Sequence, residues 1–141
     1  MSGTSGTTPG VTCDLDVNLV GPDEDVVAVP VALHYDTADP YAVRSTFHTG
    51  QGDGVRWVFA RELLAEGMNA PAGDGDVRVW PSVTRGRPVV CIGLRSPDGA
   101  ALLEAPASTV QSFLTKTFVL VPQGSEAQLL DIDSTISSLL S

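Results

Sequence analysis

Two histidines, two cysteines and a scatter of aspartates are the residues of this 141-residue chain whose types could do chemistry. His34 and His48 would need a carboxylate beside them to hold a metal ion, and Asp36 stands close to His34. Metal sites announce themselves by clustered ligands, and these histidines are neither close in sequence nor in phase with their strands' apolar residues. Each therefore belongs to a wet or interfacial face. Asp36, Asp39, Asp131 and Asp133 could form a cation site, but aspartates at turns and helix starts commonly accept nearby N–H groups, which is the preferred reading. A Ser-His-Asp hydrolase would place its serine on a strained strand-to-helix turn, and no Gly-x-Ser-x-Gly string occurs. The glycines Gly50, Gly52, Gly54, Gly73 and Gly75 open no long helix and precede no Lys-Ser or Lys-Thr, so they read as turn residues rather than a phosphate cradle. Cys13 and Cys91 sit among alternating apolar residues as small hydrophobes, without metal-ligand spacing. The residues thus predict no catalytic group, no metal and no cofactor, and hence no enzyme.

Composition narrows the remaining classes. The length suits one domain with a core of its own. The charged fraction is 18% against 43% apolar residues, which predicts that part of the surface is covered by another subunit. Net charge is −9, and the basic residues are scattered: Arg44, Arg56, Arg61, Arg78, Arg85, Arg87, Arg95 and Lys116. A nucleic-acid binder needs a basic stripe to displace counterions, so no nucleic-acid partner is expected. No segment approaches the length of a membrane span, and no basic-then-apolar leader opens the chain. The expectation is a cytoplasmic protein with reduced thiols.

The elements that would position these residues are mostly strands. Residues 1–10 are Ser, Gly and Thr with one Pro and read as a flexible tail, leaving 11–141 as the domain. Cys13, Leu15, Val17 and Leu19 alternate with polar residues in a half-buried strand. Val27, Val29, Val31, Leu33 and Tyr35 form a second; Pro30, lacking an N–H, places it at an edge or a bulge. Tyr41, Val43, Ser45, Phe47 and Thr49 give a third strand, and Val55, Trp57 and Phe59 a fourth. Arg61 to Met68 reads as a short helix with Leu63 and Leu64 inward, stopped at Gly67. Val77 and Val79 alternate with Arg78 and Trp80 in the next strand. Trp80 is out of phase with the valines and predicts packing on a second surface, such as a subunit interface. After a turn at Thr84 to Arg87, Pro88 to Leu94 is a near-continuous apolar run, read as buried on both faces. Pro97-Asp98-Gly99 turns the chain into Ala100 to Glu104. Ser108 and Gln111 fit a capping box for a helix carrying Val110, Phe113, Leu114, Thr117 and Val121. Pro122-Gln123-Gly124 ends it, with Gly124 expected at positive φ. Leu129 to Ile132 and a last helix from Asp133, with Ile136, Leu139 and Leu140 on one stripe, complete an α+β domain of two antiparallel β-sheets with helices. Trp80, Gly124, Ile136 and Leu139 are the candidate interaction or hinge residues.

The string Tyr35-Asp36-Thr37-Ala38-Asp39-Pro40-Tyr41-Ala42-Val43, followed by Ser45-Thr46-Phe47-His48-Thr49 and by Val55 to Leu64, resembles the signature of the SsgA-like proteins, actinobacterial regulators of sporulation and cell division. The likeness continues through Gly75 to Ser82, Val89 to Ile92 and Leu102 to Pro106, and it covers roughly residues 13 to 140. The Ser/Gly/Thr-rich start and Lys116 to Gln128, matched only at Pro122 and Gly124, depart from it. The resemblance implies a Whirly-like fold assembled as a bell-shaped homotrimer. It implies a non-enzymatic adaptor at division septa that binds the tubulin-like GTPase FtsZ, brings it to future septum sites and favours its polymerisation. It further implies tethering of the ring to the membrane through an SsgA-type paralogue and other septum proteins. Three alternatives stay open: a single-stranded nucleic-acid binder of the same fold, a trimeric scaffold for another septum protein, and a small enzyme.

Overall fold

The computed structural model describes residues 9–21, 23, 25–50, 52 and 54–127. Its strands are β1 (Gly10–Val20), β2 (Val26–Asp36), β3 (Asp39–Phe47), β4 (Val55–Ala60), β5 (Val77–Thr84), β6 (Arg87–Ser96) and β7 (Gly99–Pro106). Helix α1 (Arg61–Gly67) follows β4, and α2 (Ala107–Leu120) follows β7. The fold is α+β, and every strand pairing is antiparallel. The strands form one seven-stranded sheet in the order β4-β3-β2-β1-β7-β6-β5, which corrects the expectation of two sheets. The join is short: Asn18, Leu19 and Val20 pair with Glu104, Leu103 and Leu102. β1 is long enough to pair along its whole length with β2 and still offer the end of its other edge to β7.

Alternation sets the two faces, because residues opposite one another in a ladder share a face. Val17, Val31, Leu33, Tyr35, Val43, Phe59, Val79, Val90, Ile92 and Leu103 form one buried core with Val110, Phe113 and Leu114 of α2. The phases read from Val29 to Tyr35, from Val43 to Phe47 and along α2 are therefore those of the structure. Val27 and Tyr41, at strand starts, are about half exposed. The run from Pro88 to Leu94 is buried from Val90 to Ile92 and again at Leu94, whereas Pro88 is exposed.

Four local readings differ. β2 lies between β1 and β3 rather than at an edge. Pro30 is tolerated there because the β2–β3 ladder ends at Val31 opposite Phe47, and the Pro30 carbonyl still accepts the His48 amide at 2.8 Å. Gly67 is inside α1 and does not end it by a left-handed turn. It is glycine because any Cβ there would overlap the Val79 side chain on β5. Ser108 does not cap α2, which starts one residue earlier after Pro106 and has no side-chain cap; Gln111 Nε2 instead donates to Thr115 Oγ1 at 3.3 Å. Proline's fixed φ carries the chain directly from β7 into the helix, so Ser108 falls inside the first turn. Gly10, assigned to the tail by composition, opens β1 opposite Asp36. The expected strand and helix beyond Gln128 lie outside the described residues.

Candidate interaction surfaces

Of the residues first considered for chemistry, His34, Asp36 and Asp39 are engaged in local structure, whereas Asp131 and Asp133 lie outside the described residues. His34 Nδ1 is 3.0 Å from Thr12 Oγ1, and its other ring nitrogen is 3.9 Å from Asp36 Oδ2. Asp36 Oδ1 accepts the Ala38 amide at 2.8 Å, closing an Asx turn. Asp39 lies 3.8 Å from Arg44. Among the described residues no three of His, Cys, Asp and Glu come together as a metal site would need. Cys13 and Cys91 are free. Burial, and then the nearby carboxylates Asp14 and Glu104 respectively, push both thiols up, away from the reactive thiolate.

Trp80 belongs to a different kind of place. It sits with Arg78 on the sheet face turned away from the helices, because its neighbour Val79 fills the core. On that face the ladders set Arg78, Gly93, Leu102 and Val20 in a row across β5, β6, β7 and β1. The Trp80 indole lies over Gly93, close enough that a Cβ there would stand 3.3 Å from the ring. Arg95 and Asp76 complete an open groove of about 780 Å³, with Val20 and Leu102 as its apolar wall. Asp76 engages Arg95 only through the backbone, its carbonyl accepting the Arg95 amide at 2.8 Å. Among the described residues neither Arg78 nor Arg95 has a carboxylate partner.

The third feature was not found in the sequence. Arg61, the first residue of α1, is fully buried. Its Nη1 donates to the carbonyls of Thr117 at 3.2 Å and Val121 at 2.7 Å, and its Nη2 to Glu126 Oε2 at 2.6 Å. The guanidinium stacks between Tyr35 and Phe118, 4.9 and 4.4 Å from the ring centroids. Its Nε is buried without a hydrogen-bond partner among the described residues. Burial pushes the Glu126 carboxyl up, but the Arg61 hydrogen bond and charge and the amides of Glu126 and Gly124 outweigh it, so the carboxyl titrates below its ordinary range. Gly124 makes this clasp possible. Its φ is +89°, its amide donates to Glu126 Oε1 at 2.9 Å, and the Ser125 amide returns to the Pro122 carbonyl at 2.9 Å. A basic residue opening a helix reads as solvated, and its partner is far along the chain, so no local pattern marks the pair. Trp80 and Gly124 are thus on opposite faces and are not brought together; Ile136 and Leu139 lie outside the described residues.

Residues 29–126 match the model of the family described as Streptomyces sporulation and cell division protein, SsgA. The chain belongs to the SsgA family. Its relatives include the sporulation-specific cell division protein SsgB of Streptomyces coelicolor, 55% identical over 92% of this chain and 95% of that protein. SsgB of Thermobifida fusca is 42% identical over 97% of this chain and 98% of that one. Among solved structures, SsgB studied for mutations that correlate to longitudinal cell division during sporulation of S. coelicolor superposes with a TM-score of 0.84 at 55% identity, over 89% of this chain and 98% of that one. An SsgA-like sporulation-specific cell division protein from T. fusca superposes with a TM-score of 0.86 at 40% identity, over 96% and 98%. The sheet-dominated α+β architecture is therefore that of the SsgA family. The family match runs from Val29 in β2 through Glu126, so it includes the whole Arg61 clasp and the groove residues Arg78, Trp80, Gly93, Arg95 and Leu102, but not Val20 of β1.

Proposed function

We propose that this SsgA-family protein is a non-enzymatic adaptor of sporulation-specific cell division. It binds FtsZ, brings it to future septum sites, favours its polymerisation, and helps tether the ring to the membrane through partner proteins. It works as a cytoplasmic homotrimer of Whirly-like fold at division septa. The observation that carries this reading is the near end-to-end match to proteins named SsgB, from β1 through the clasp. Two features agree with it. Among the described residues no helix is long and apolar enough to cross a membrane, so tethering would fall to partners. Apolar side chains stand on the surface, with Val58, Val83 and Val119 each more than half exposed. The test is sedimentation of FtsZ polymers from the same organism with GTP, with and without this protein. Co-pelleting and more or longer polymer are expected. An unchanged pellet with all of this protein in the supernatant contradicts the reading.

A further inference from the structure

Gly93 is a glycine that its own backbone does not require. It lies in β6, between β5 and β7, and is not among the residues at positive φ. Glycine inside a strand weakens it and often marks a place where another group comes close. Here that group is the Trp80 indole, whose ring atoms Cζ3 and Cη2 would each stand 3.3 Å from a Cβ at residue 93. The missing side chain lets the indole settle on the sheet, half-buried, at the groove shared with the half-buried Val20 and Leu102. An aromatic group is thus seated in a fixed place on the face that no helix covers.

Positive charge prevails in this groove, although the chain carries a net charge of −9. Arg78 and Arg95 line it and are exposed, and among the described residues neither has a carboxylate partner. Asp76 is the single acid among the lining residues. The ladders set these groups in three successive rows on one face: Arg95 with Ala100, then Arg78 with Gly93 and Leu102, then Trp80 with Cys91 and Glu104. Same-face positions along a strand repeat every 6.6 Å or so, and an extended ligand lying along the strands has the same repeat, so its alternate side chains meet the rows one by one. The first two rows offer guanidinium forks, which suit carboxylates. The third offers an indole and, in Glu104, a like charge that disfavours another acid. Two acids adjacent in sequence would point to opposite sides of an extended segment and could not both meet this face. A nucleic-acid strand carries charge all along its backbone and is repelled by the acidic surface beyond the groove, whereas a short acidic segment confines its charge to the two arginines.

We infer that the Trp80–Arg78–Arg95 groove binds an extended segment of a partner protein that carries two acidic side chains two positions apart and an apolar side chain two positions from the nearer acid. The carboxylates pair with Arg95 and Arg78, and the apolar side chain lies on the Trp80 indole. Leu102 and Val20 cover the aliphatic flank of the segment. Neither the groove nor this ligand depends on FtsZ being the partner or on the oligomeric state of the chain.

The probes are two fluorescein-labelled peptides, Thr-Asp-Thr-Asp-Thr-Phe-Thr and its reverse-order counterpart, one for each direction of the segment. They are titrated against the full-length protein in low salt, with binding read by anisotropy. The indole N–H signals of the two tryptophans are followed by NMR and assigned with Trp80→Phe. Trp57 packs against the core and is the internal control. Saturable binding of at least one peptide is expected, moving the Trp80 signal and leaving that of Trp57 in place. Arg78→Gln with Arg95→Gln should weaken binding about tenfold or more, as the loss of charged hydrogen bonds requires, with an unchanged Trp57 signal showing that the variant is folded. Thr-Thr-Asp-Asp-Thr-Phe-Thr, of the same composition and charge, should bind more weakly than the spaced peptide that binds. A Trp80 signal unmoved at millimolar concentrations of both peptides overturns the assignment, as does binding that the glutamine pair leaves unchanged. Equal binding of spaced and adjacent acids overturns it too. An oligothymidylate that displaces the peptide at lower concentration and moves the same signal makes the groove a nucleic-acid site instead.

Discussion

Glu126→Gln tests the buried ion pair between Arg61 and Glu126. The change keeps the side chain's shape and leaves an oxygen for Arg61 Nη2, but it removes the charge that balances a guanidinium with no solvent exposure. A guanidinium in a protein is a permanent cation and so needs a compensating charge when buried. The other partners of Arg61 are two backbone carbonyls and two aromatic faces, which solvate the cation but do not neutralise it. Breaking a buried ion pair by removing one partner costs about 3–5 kcal/mol, and retention of the glutamine oxygen places this variant near 3. For a chain of this size that corresponds to a fall in Tm of about 10 °C. Calorimetry and urea unfolding at neutral pH measure it. The sign with pH follows from the depressed carboxyl. Glu126 contributes its stability above its ordinary value of 4.5 and loses it as pH falls through the lower folded value, so wild type and Glu126→Gln should converge in acid. Removing both charges, Arg61→Met with Glu126→Leu, should recover most of the loss, since a buried pair is held mainly against its own desolvation. A Glu126→Gln protein within about 0.5 kcal/mol of wild type, the range of an ordinary surface change, would refute the clasp as a structural constraint.

Three further substitutions test separate parts of the fold. Gly124→Val forces a β-branched residue to φ +89° and should cost on the order of 1–2 kcal/mol with no steric contact to blame, while shifting the residues after Glu126; Tm and oligomer mass measured together check it. Arg85→Asn should stabilise by about 0.5–1 kcal/mol, read in urea, because Arg85 occupies φ +54° in the turn with Gly86, where asparagine is better accommodated. Gly67→Ala should destabilise by about 1–3 kcal/mol, since its Cβ must displace Val79 from the contact between α1 and β5; an unchanged unfolding midpoint would mean that the contact is looser than the structure shows.

What was legible in the sequence is what repeats at short range. Val29 to Tyr35 and Val43 to Phe47 announce their strands by alternation, and Val110, Phe113, Leu114 and Thr117 announce α2 by helical spacing. The turn at Gly124 was legible because proline and glycine constrain the backbone wherever they occur. Pairings across long separations were not. Three residue pairs between β1 and β7 turn two expected sheets into one, and nothing local distinguishes Leu102 to Glu104 as the partners of Asn18 to Val20. Pro30 misled because its missing N–H was read against a whole strand, whereas only the end of the β2–β3 ladder is affected. Arg61 was hidden for the same reason as the sheet join: its burial depends on Glu126, Phe118 and Tyr35 arriving from three other segments. The Trp80 groove was half legible, since phase placed Trp80 off the core, but the row of Arg78, Gly93, Leu102 and Val20 exists only once four strands are in register.

The central claim is that this SsgA-family chain acts by binding FtsZ. The most direct measurement is a titration of FtsZ against the immobilised full-length protein, in moderate salt and with GTP and GDP in parallel. Saturable binding in the micromolar range or tighter is predicted, with avidity rising when GTP allows filaments to form. Absence of binding at tens of micromolar FtsZ in both nucleotide states would contradict the account.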